Sequence, residues 1–324
     1  MQLALSGVSR VAYLGVAILL FVTPAMAQSQ SPQDWLERMA VAAEQMKYSG
    51  TVVRLRGDDV ETLHVDHYVD NGEVVERVMS LDGEGLEILR RGSEVQCIIA
   101  DKKSILKEDW GDESTVFSTL PSSGISFGQQ YDLAMVRADR VAGRNAVLLA
   151  IRPHDEFRYG HRLWLDEQTA FPLKTELIGH EGSPIERVMF ADVNLDADFA
   201  EDAFLPSVDI SNFTTYQVDS ARNVRELTDA GWSCGDLPPG FAVVSIEREV
   251  LPNTESPVIH IVYSDGLASI SVFISEDIDE SLQERSNRGA SSSYTLLRSG
   301  AQIVAIGEVP AITVERIARG MIKD

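Results

Sequence analysis

Between Ser49 and Val193 the hydrophobic pattern repeats every two residues and is broken every six to twelve residues by turn formers. Thr51–Arg56 sets Val53 and Leu55 against Arg54 and Arg56, and Val60–Val69 puts Leu63, Val65 and Val69 on one side. Glu73–Leu81, Leu86–Arg91 and Glu94–Ala100 follow, then Val136–Val141, Ala146–Arg152, Tyr159–Asp166, Phe171–Ile178 and Pro184–Val193. Gly57-Asp58-Asp59, Asp70-Asn71-Gly72, Asp82-Gly83-Glu84-Gly85 and Gly92-Ser93 separate the first segments. Side chains on a strand alternate sides, so such a chain folds as a meander of short antiparallel strands joined by hairpins.

Helical spacing is confined to two places. Ser31–Tyr48 has an N-cap serine, Pro32 in the first turn, and Asp34 and Glu37 where the helix dipole favours acids. Its stripe is Trp35, Met39, Ala42, Ala43 and Met46, the pattern of a core-facing surface. The second helix starts near Pro310 and presents Val314, Ile317, Ala318 and Met321. Before it, Val243–Leu251, Val258–Tyr263, Ala268–Ile274, Tyr294–Arg298 and Gln302–Ile306 form a second group of strands. Ser118–Gln129 and Ile278–Ser293 read as polar loops. Residues 207–235 lose periodicity.

The N-terminus is different in kind. Arg10 precedes an apolar run, Val11–Val22, that ends at Pro24 and is followed by Ala25-Met26-Ala27. This is the form of a secretory signal cleaved after Ala27, and the run is too short for a membrane span of about 20 residues. The expectation is export and a soluble mature chain. Cleavage would leave about 300 residues, more than one core usually holds, which predicts two domains. The expected division is 1–27 signal peptide, 28–210 large domain, 211–236 linker and 237–324 small domain. The fold class is α+β: a large antiparallel sheet covered by helix, and a small antiparallel sheet with the C-terminal helix.

Charge narrows the partners. With 28 Lys and Arg against 50 Asp and Glu the net charge is −22, spread along the chain. Such a balance argues against nucleic acid and against bulk attraction to anionic lipid. Cys97 and Cys234 lie far apart in sequence, Cys97 in an apolar run, and no disulfide is expected. No H-E-x-x-H, C-x-x-C or glycine-rich phosphate loop occurs. His64 and His67, three apart on a strand, face opposite sides and do not suit one metal. The chain therefore reads as a binding protein with no catalytic residues, cofactor or metal. A triad set by space alone leaves a hydrolase as a weaker reading.

Several strings carry a family resemblance. Tyr159-Gly-His-Arg-Leu-Trp-Leu-Asp166 with Phe171-Pro-Leu-Lys-Thr175 closely resembles a signature of the RseB/MucB family. Leu237-Pro-Pro-Gly-Phe241, Tyr263–Phe273 and Gly307-Glu-Val-Pro310 resemble that family's second domain. The resemblance implies a periplasmic negative regulator of an envelope-stress sigma factor. Such a protein binds the periplasmic part of a transmembrane anti-sigma factor (RseA or MucA) and shields it from the site-1 protease. It also implies a LolA/LolB-like half-open sheet with an apolar cavity, release by lipopolysaccharide or lipoprotein acyl chains, and self-association into a homo-oligomer.

Candidate residues follow. Val53, Leu55, Leu63, Val65, Phe171, Leu173 and Leu177 are the candidate lipid-pocket lining, although most inward strand positions are simply packed. Arg54 with Arg56 and Arg158 with Arg162 are candidates for lipid phosphate, each pair expected to share a strand face. Arg90 with Arg91, and Lys102 with Lys103 and Lys107, are further basic clusters. Trp164 is expected buried between sheet and helix, and Trp232, Tyr263 and Phe273 in the small-domain core. The rival function is a periplasmic lipoprotein or lipid carrier, which would have no use for the second domain.

Overall fold

A computed structural model describes residues 30–83, 85–109, 129–200, 202–217, 222–223, 231–249, 256–279 and 281–324. The expected signal peptide, its cleavage point and most of the Ser118–Gln129 loop lie outside these residues. No helix among the described residues is long and apolar enough to cross a membrane.

Helix α1 (Pro32–Gln45) begins at a capping box: the Asp34 backbone N–H donates to Ser31 Oγ at 3.1 Å, and the Ser31 N–H to Asp34 Oδ2 at 2.8 Å. It buries Leu36, Met39, Ala40 and Ala42. It ends earlier than its pattern suggests, because Tyr48 is claimed by the first strand.

Eleven strands follow in meander order. They are β1 (Tyr48–Arg56), β2 (Asp59–Asp70), β3 (Glu73–Ser80), β4 (Leu86–Arg91), β5 (Glu94–Ile99), β6 (Ser104–Asp109), β7 (Tyr131–Val141), β8 (Arg144–Pro153), β9 (Gly160–Asp166), β10 (Pro172–Ile178) and β11 (Pro184–Asn194). A twelfth, β12 (Thr214–Gln217), joins them in one open sheet ordered β12-β6-β5-β4-β3-β2-β1-β11-β10-β9-β8-β7. The two halves meet where β1 pairs β11, and among the described residues only β12 runs parallel to its neighbour. Asn71 and Gly72, both at positive φ, make the tight β2–β3 turn that their sequence announces.

The small domain holds β13 (Arg222–Asn223), β14 (Trp232–Cys234), β15 (Ala242–Glu249), β16 (Val258–Ser264), β17 (Ser269–Ser275), β18 (Arg285–Arg288), β19 (Ser291–Arg298), β20 (Ala301–Gly307), α2 (Ala311–Gly320) and β21 (Met321–Lys323). Its seven-stranded sheet is ordered β13-β15-β16-β17-β20-β19-β18, α2 packs on β19 and β20, and β14 pairs β21. Ile261, Tyr263, Ile270, Val272, Ile303, Val314 and Ile317 are buried in its core. Trp232 and Tyr263 are core residues as expected, whereas Phe273 stacks on His260 at 4.3 Å.

Some expectations change. The aperiodic stretch at 207–235 contributes β12 to the large sheet and β13 and β14 to the small domain. The polar segment 278–293 contains β18. These are edge pieces of two to four residues with no buried alternation to reveal them. Cys97 and Cys234 are free thiols.

Candidate functional site

Register assigns every strand residue of the large sheet to one of two faces. Val52 opposes Leu63 on β2 and Phe190 on β11, so Val52, Leu63, Val65, Val188, Phe190 and Leu173 look the same way. With Tyr48, Val78 and Phe171 they form one buried cluster, reached by Ala42 of α1. A neighbouring cluster holds Leu36 and Met39 of α1 against Leu149, Ile151, Leu163 and Leu165, with Leu267 of the small domain packed beside it. The helix thus covers one face of the sheet.

Four candidate pocket residues, Leu63, Val65, Phe171 and Leu173, sit in this packed core at 0–8% exposure, and Leu177 shares their face half-buried. Val53 and Leu55 do not join them. Val53 pairs Met189 and Leu55 pairs Arg187, which puts both on the opposite face. Alternation alone separates the two faces of a strand without saying which is inner, and the inner residue of β1 is Val52.

The arginines redistribute as well. Arg54 and Arg56 do share a face, but it is the helix-covered one, and both are ion-paired with a protein carboxylate. Arg56 Nε donates to Glu186 at 3.1 Å, Arg54 Nε lies 3.8 Å from it, and Arg56 Nη2 is 3.8 Å from Glu308 of the small domain. Burial first, and then the nearby Glu186, hold the Glu308 carboxyl above its ordinary range. Contact is tight here: a Cβ on Gly289 would stand 2.5 Å from Arg56 Cγ.

Arg158 and Arg162 do not pair on one strand, because β9 begins at Gly160 and Arg158 belongs to the loop before it. Arg158 is fully buried at the domain junction. Its Nη1 donates to Asp265 at 2.5 Å, Nη2 to the Pro239 carbonyl at 2.5 Å and Nε to Asp155 at 3.0 Å. The guanidinium lies against the rings of Tyr131 and Phe241, and the Tyr131 hydroxyl also donates to Asp265. Each of its three nitrogens donates to protein and the side chain is out of reach of solvent, so it is not placed to meet a phosphate. Thr313 Oγ1 donates to the Phe157 carbonyl at 2.7 Å, and Arg316 covers the Phe157 ring. Beside this junction His161 is buried and its pKa is pushed down to about 4 by desolvation.

The other face carries a groove of about 810 Å³ across β7–β11. Five arginines line it (Arg137, Arg152, Arg158, Arg162 and Arg187) against two carboxylates, Asp155 and Glu176. Arg162, Glu176 and Arg187 are cross-strand neighbours, followed in the same row by Leu55. Glu176 is held by Lys174 at 2.8 Å, Arg187 at 2.8 Å and Arg162 at 3.6 Å. Burial opposes its charge, but the hydrogen bonds from Lys174 and Arg187 outweigh it and keep Glu176 below the ordinary carboxylate range. Trp164 lines the groove and is buried as expected, though beneath Lys174, whose ammonium lies 3.9 Å from its ring, rather than a helix. Its indole N–H donates to Asp139 at 2.9 Å, which with the Arg140 N–H and Arg137 holds that carboxyl at about 2. The sequence pairs Arg162 with Arg158 and sets Trp164 against a helix. The cross-strand rows Arg162–Glu176–Arg187 and Trp164–Lys174–Met189 depend on register, which no local pattern reveals.

The MucB/RseB N-terminal domain model matches residues 31–208, and the MucB/RseB C-terminal domain model matches residues 226–322. The chain belongs to the MucB/RseB family. It is 33% identical to the sigma factor AlgU regulatory protein MucB of Pseudomonas aeruginosa over 92% of this chain and 93% of that protein. It is 25% identical to the sigma-E factor regulatory protein RseB of Escherichia coli K12 over 88% of this chain and 89% of the relative. The crystal structure of MucB in complex with MucA(peri) covers 91% of this chain and 99% of the solved one, at 32% identity and a TM-score of 0.69. These relatives are regulatory proteins, and no enzyme family is indicated.

Proposed function

We propose that this protein is a periplasmic negative regulator that holds the periplasmic domain of a transmembrane anti-sigma factor. While bound it shields that domain from the site-1 protease, so the sigma factor stays captive; lipid or lipopolysaccharide binding releases it. The observation that carries this reading is the likeness, over nearly the full length of both chains, to MucB solved with MucA(peri).

A switch requires the lipid to prefer a state that binds the partner less well. The apolar face of the large sheet is packed shut, with Val65, Phe171 and Leu173 at 0% exposure. Acyl chains entering there would displace α1 or its neighbours, which is the kind of rearrangement that could be transmitted to a bound partner. A simple lipid carrier draws less support from the same packing and has no role for the small domain locked to the sheet by Arg158 and Asp265.

The test is to form the complex with the anti-sigma periplasmic domain and titrate lipopolysaccharide, following affinity and cleavage by the site-1 protease. Weaker binding and faster cleavage are expected. Unchanged affinity at saturating lipid would sink the switch, and cleavage as fast with the protein as without it would sink the shielding role.

A further inference from the structure

The basic groove lies beside an open sheet edge. Among the described residues β7 is the terminal strand of the large sheet, and nothing pairs with its outer side. At Met135–Arg137 the register with β8 shifts, leaving Val136 as a bulge residue. Val136 is 45% exposed and Met135 37%, and Val136 and Arg137 both line the groove. Arg152, on the adjacent strand, is exposed at the groove wall. A run of exposed backbone donors and acceptors, two exposed apolar side chains and a cluster of cations thus adjoin one another in a chain of net charge −22. Bulges and edge charges usually protect a strand from promiscuous pairing. Here the groove's five arginines outnumber its two carboxylates, with Asp132 and Asp139 set against Arg137 and Arg140 on β7 itself, and that excess of cations selects a partner rather than excluding all of them.

We propose that the β7 edge and the adjoining groove receive an extended acidic segment of a protein partner, which pairs as an added strand and sets its carboxylates against Arg137 and Arg152. Main-chain hydrogen bonds supply affinity in this mode, and alternate side chains supply selectivity. The inference rests on the reading that the chain binds an anti-sigma periplasmic domain and names the surface that would take part of it.

The experiment compares the wild-type chain with Arg137→Glu/Arg152→Glu, the milder Arg137→Gln/Arg152→Gln, and Arg91→Glu as a charge control away from the groove. Each is titrated with the anti-sigma periplasmic domain, with a labelled twelve-residue peptide of alternating Glu and Val, and with phosphatidylglycerol vesicles. Amide hydrogen exchange is followed in the wild-type complexes. The expected results are protection of β7 amides on binding and affinity loss of about tenfold or more in the double Glu variant. A smaller loss is expected in the Gln variant and none in Arg91→Glu, and binding should weaken as salt rises. If the wild-type chain fails to bind the anti-sigma domain but binds the peptide with β7 protection, the functional reading fails and the groove assignment stands. If the anti-sigma domain binds equally well to all variants without β7 protection, the groove assignment fails alone. Binding of neither probe, or an equal loss in Arg91→Glu, also overturns it. Loss of vesicle binding in the Glu variant with undiminished protein binding would make the groove a lipid site and overturn the peptide assignment.

Discussion

Three titratable side chains, two buried histidines and a half-buried glutamate, make opposite demands on pH. His67, stacked on Tyr48 at 4.7 Å, and His161 at the domain junction are both pushed down to about 4, chiefly by burial. The unfolded chain takes up protons on them near the ordinary value of about 6.5 while the folded chain does not. Their contribution to stability is therefore full above about 6.5 and is lost as pH falls toward 4. Glu308 acts in the other direction. Its raised pKa means the folded chain binds the proton more tightly, so Glu308 costs stability above its folded pKa and the cost is relieved as pH falls through that value. Glu308→Gln is expected to raise the midpoint of thermal unfolding at pH 7 and to leave it little changed at pH 4. A midpoint that falls at pH 7 would show that the Arg56 ion pair outweighs the burial of the charge. These shifts were not legible in the sequence, where Glu308 appears as an ordinary acid before Val309 and His161 as one residue of a strand signature.

At the scale of elements, α1 is the test case. Its start was written in the residues: Ser31, Pro32 and Asp34 form the cap and first turn as their spacing suggests. Ser31→Ala is expected to cost about 1 kcal/mol, the usual worth of a cap. Met39→Ala is expected to cost about 2–5 kcal/mol, because Met39 is at 0% exposure in the cluster with Leu149 and Leu163 and truncation leaves a cavity. Urea unfolding of both variants checks the order; equal losses would mean that α1 is held by its cap rather than by its packing. Most strands with one buried face were legible. Those with both faces solvated, or only two to four residues long, escaped (β12, β13, β14, β18 and β21), and so did β6, where Ile105 is buried in a strand otherwise mostly polar and charged. Face assignment failed on β1 for a related reason. Val52 and Val53 are adjacent and equally apolar, and only the pairing with Leu63 and Phe190 selects Val52.

For the whole molecule the decisive feature is the charge buried between the domains. Arg158 and Asp265 are 107 residues apart in sequence and meet at 2.5 Å with almost no solvent. Removing one partner of a buried pair leaves the other uncompensated, at a cost of about 3–5 kcal/mol. Asp265→Ala is therefore expected to lower stability by that order and to split one cooperative thermal transition into two, read by differential scanning calorimetry. A single transition with an unchanged midpoint would show that the domains are coupled elsewhere, for instance through Arg56 and Glu308.

What the sequence by itself determined is the local grammar: period-two strands between turn formers, a helix capped by Ser31 and a second one after Pro310, an acidic balance, and family strings long enough to announce a regulator. Those properties depend on neighbours within a few residues, and short-range sterics and hydrogen bonding decide them. Only the tertiary structure decided what the arginines are for. Arg54 and Arg56 serve Glu186, Arg158 serves Asp265, and Arg162 belongs to a groove with Arg137, Arg152 and Arg187. Each is the same cation in the sequence. Its role depends on which carboxylates and how much water register and domain packing bring to it, because the free energy of a charge is set by its surroundings in space.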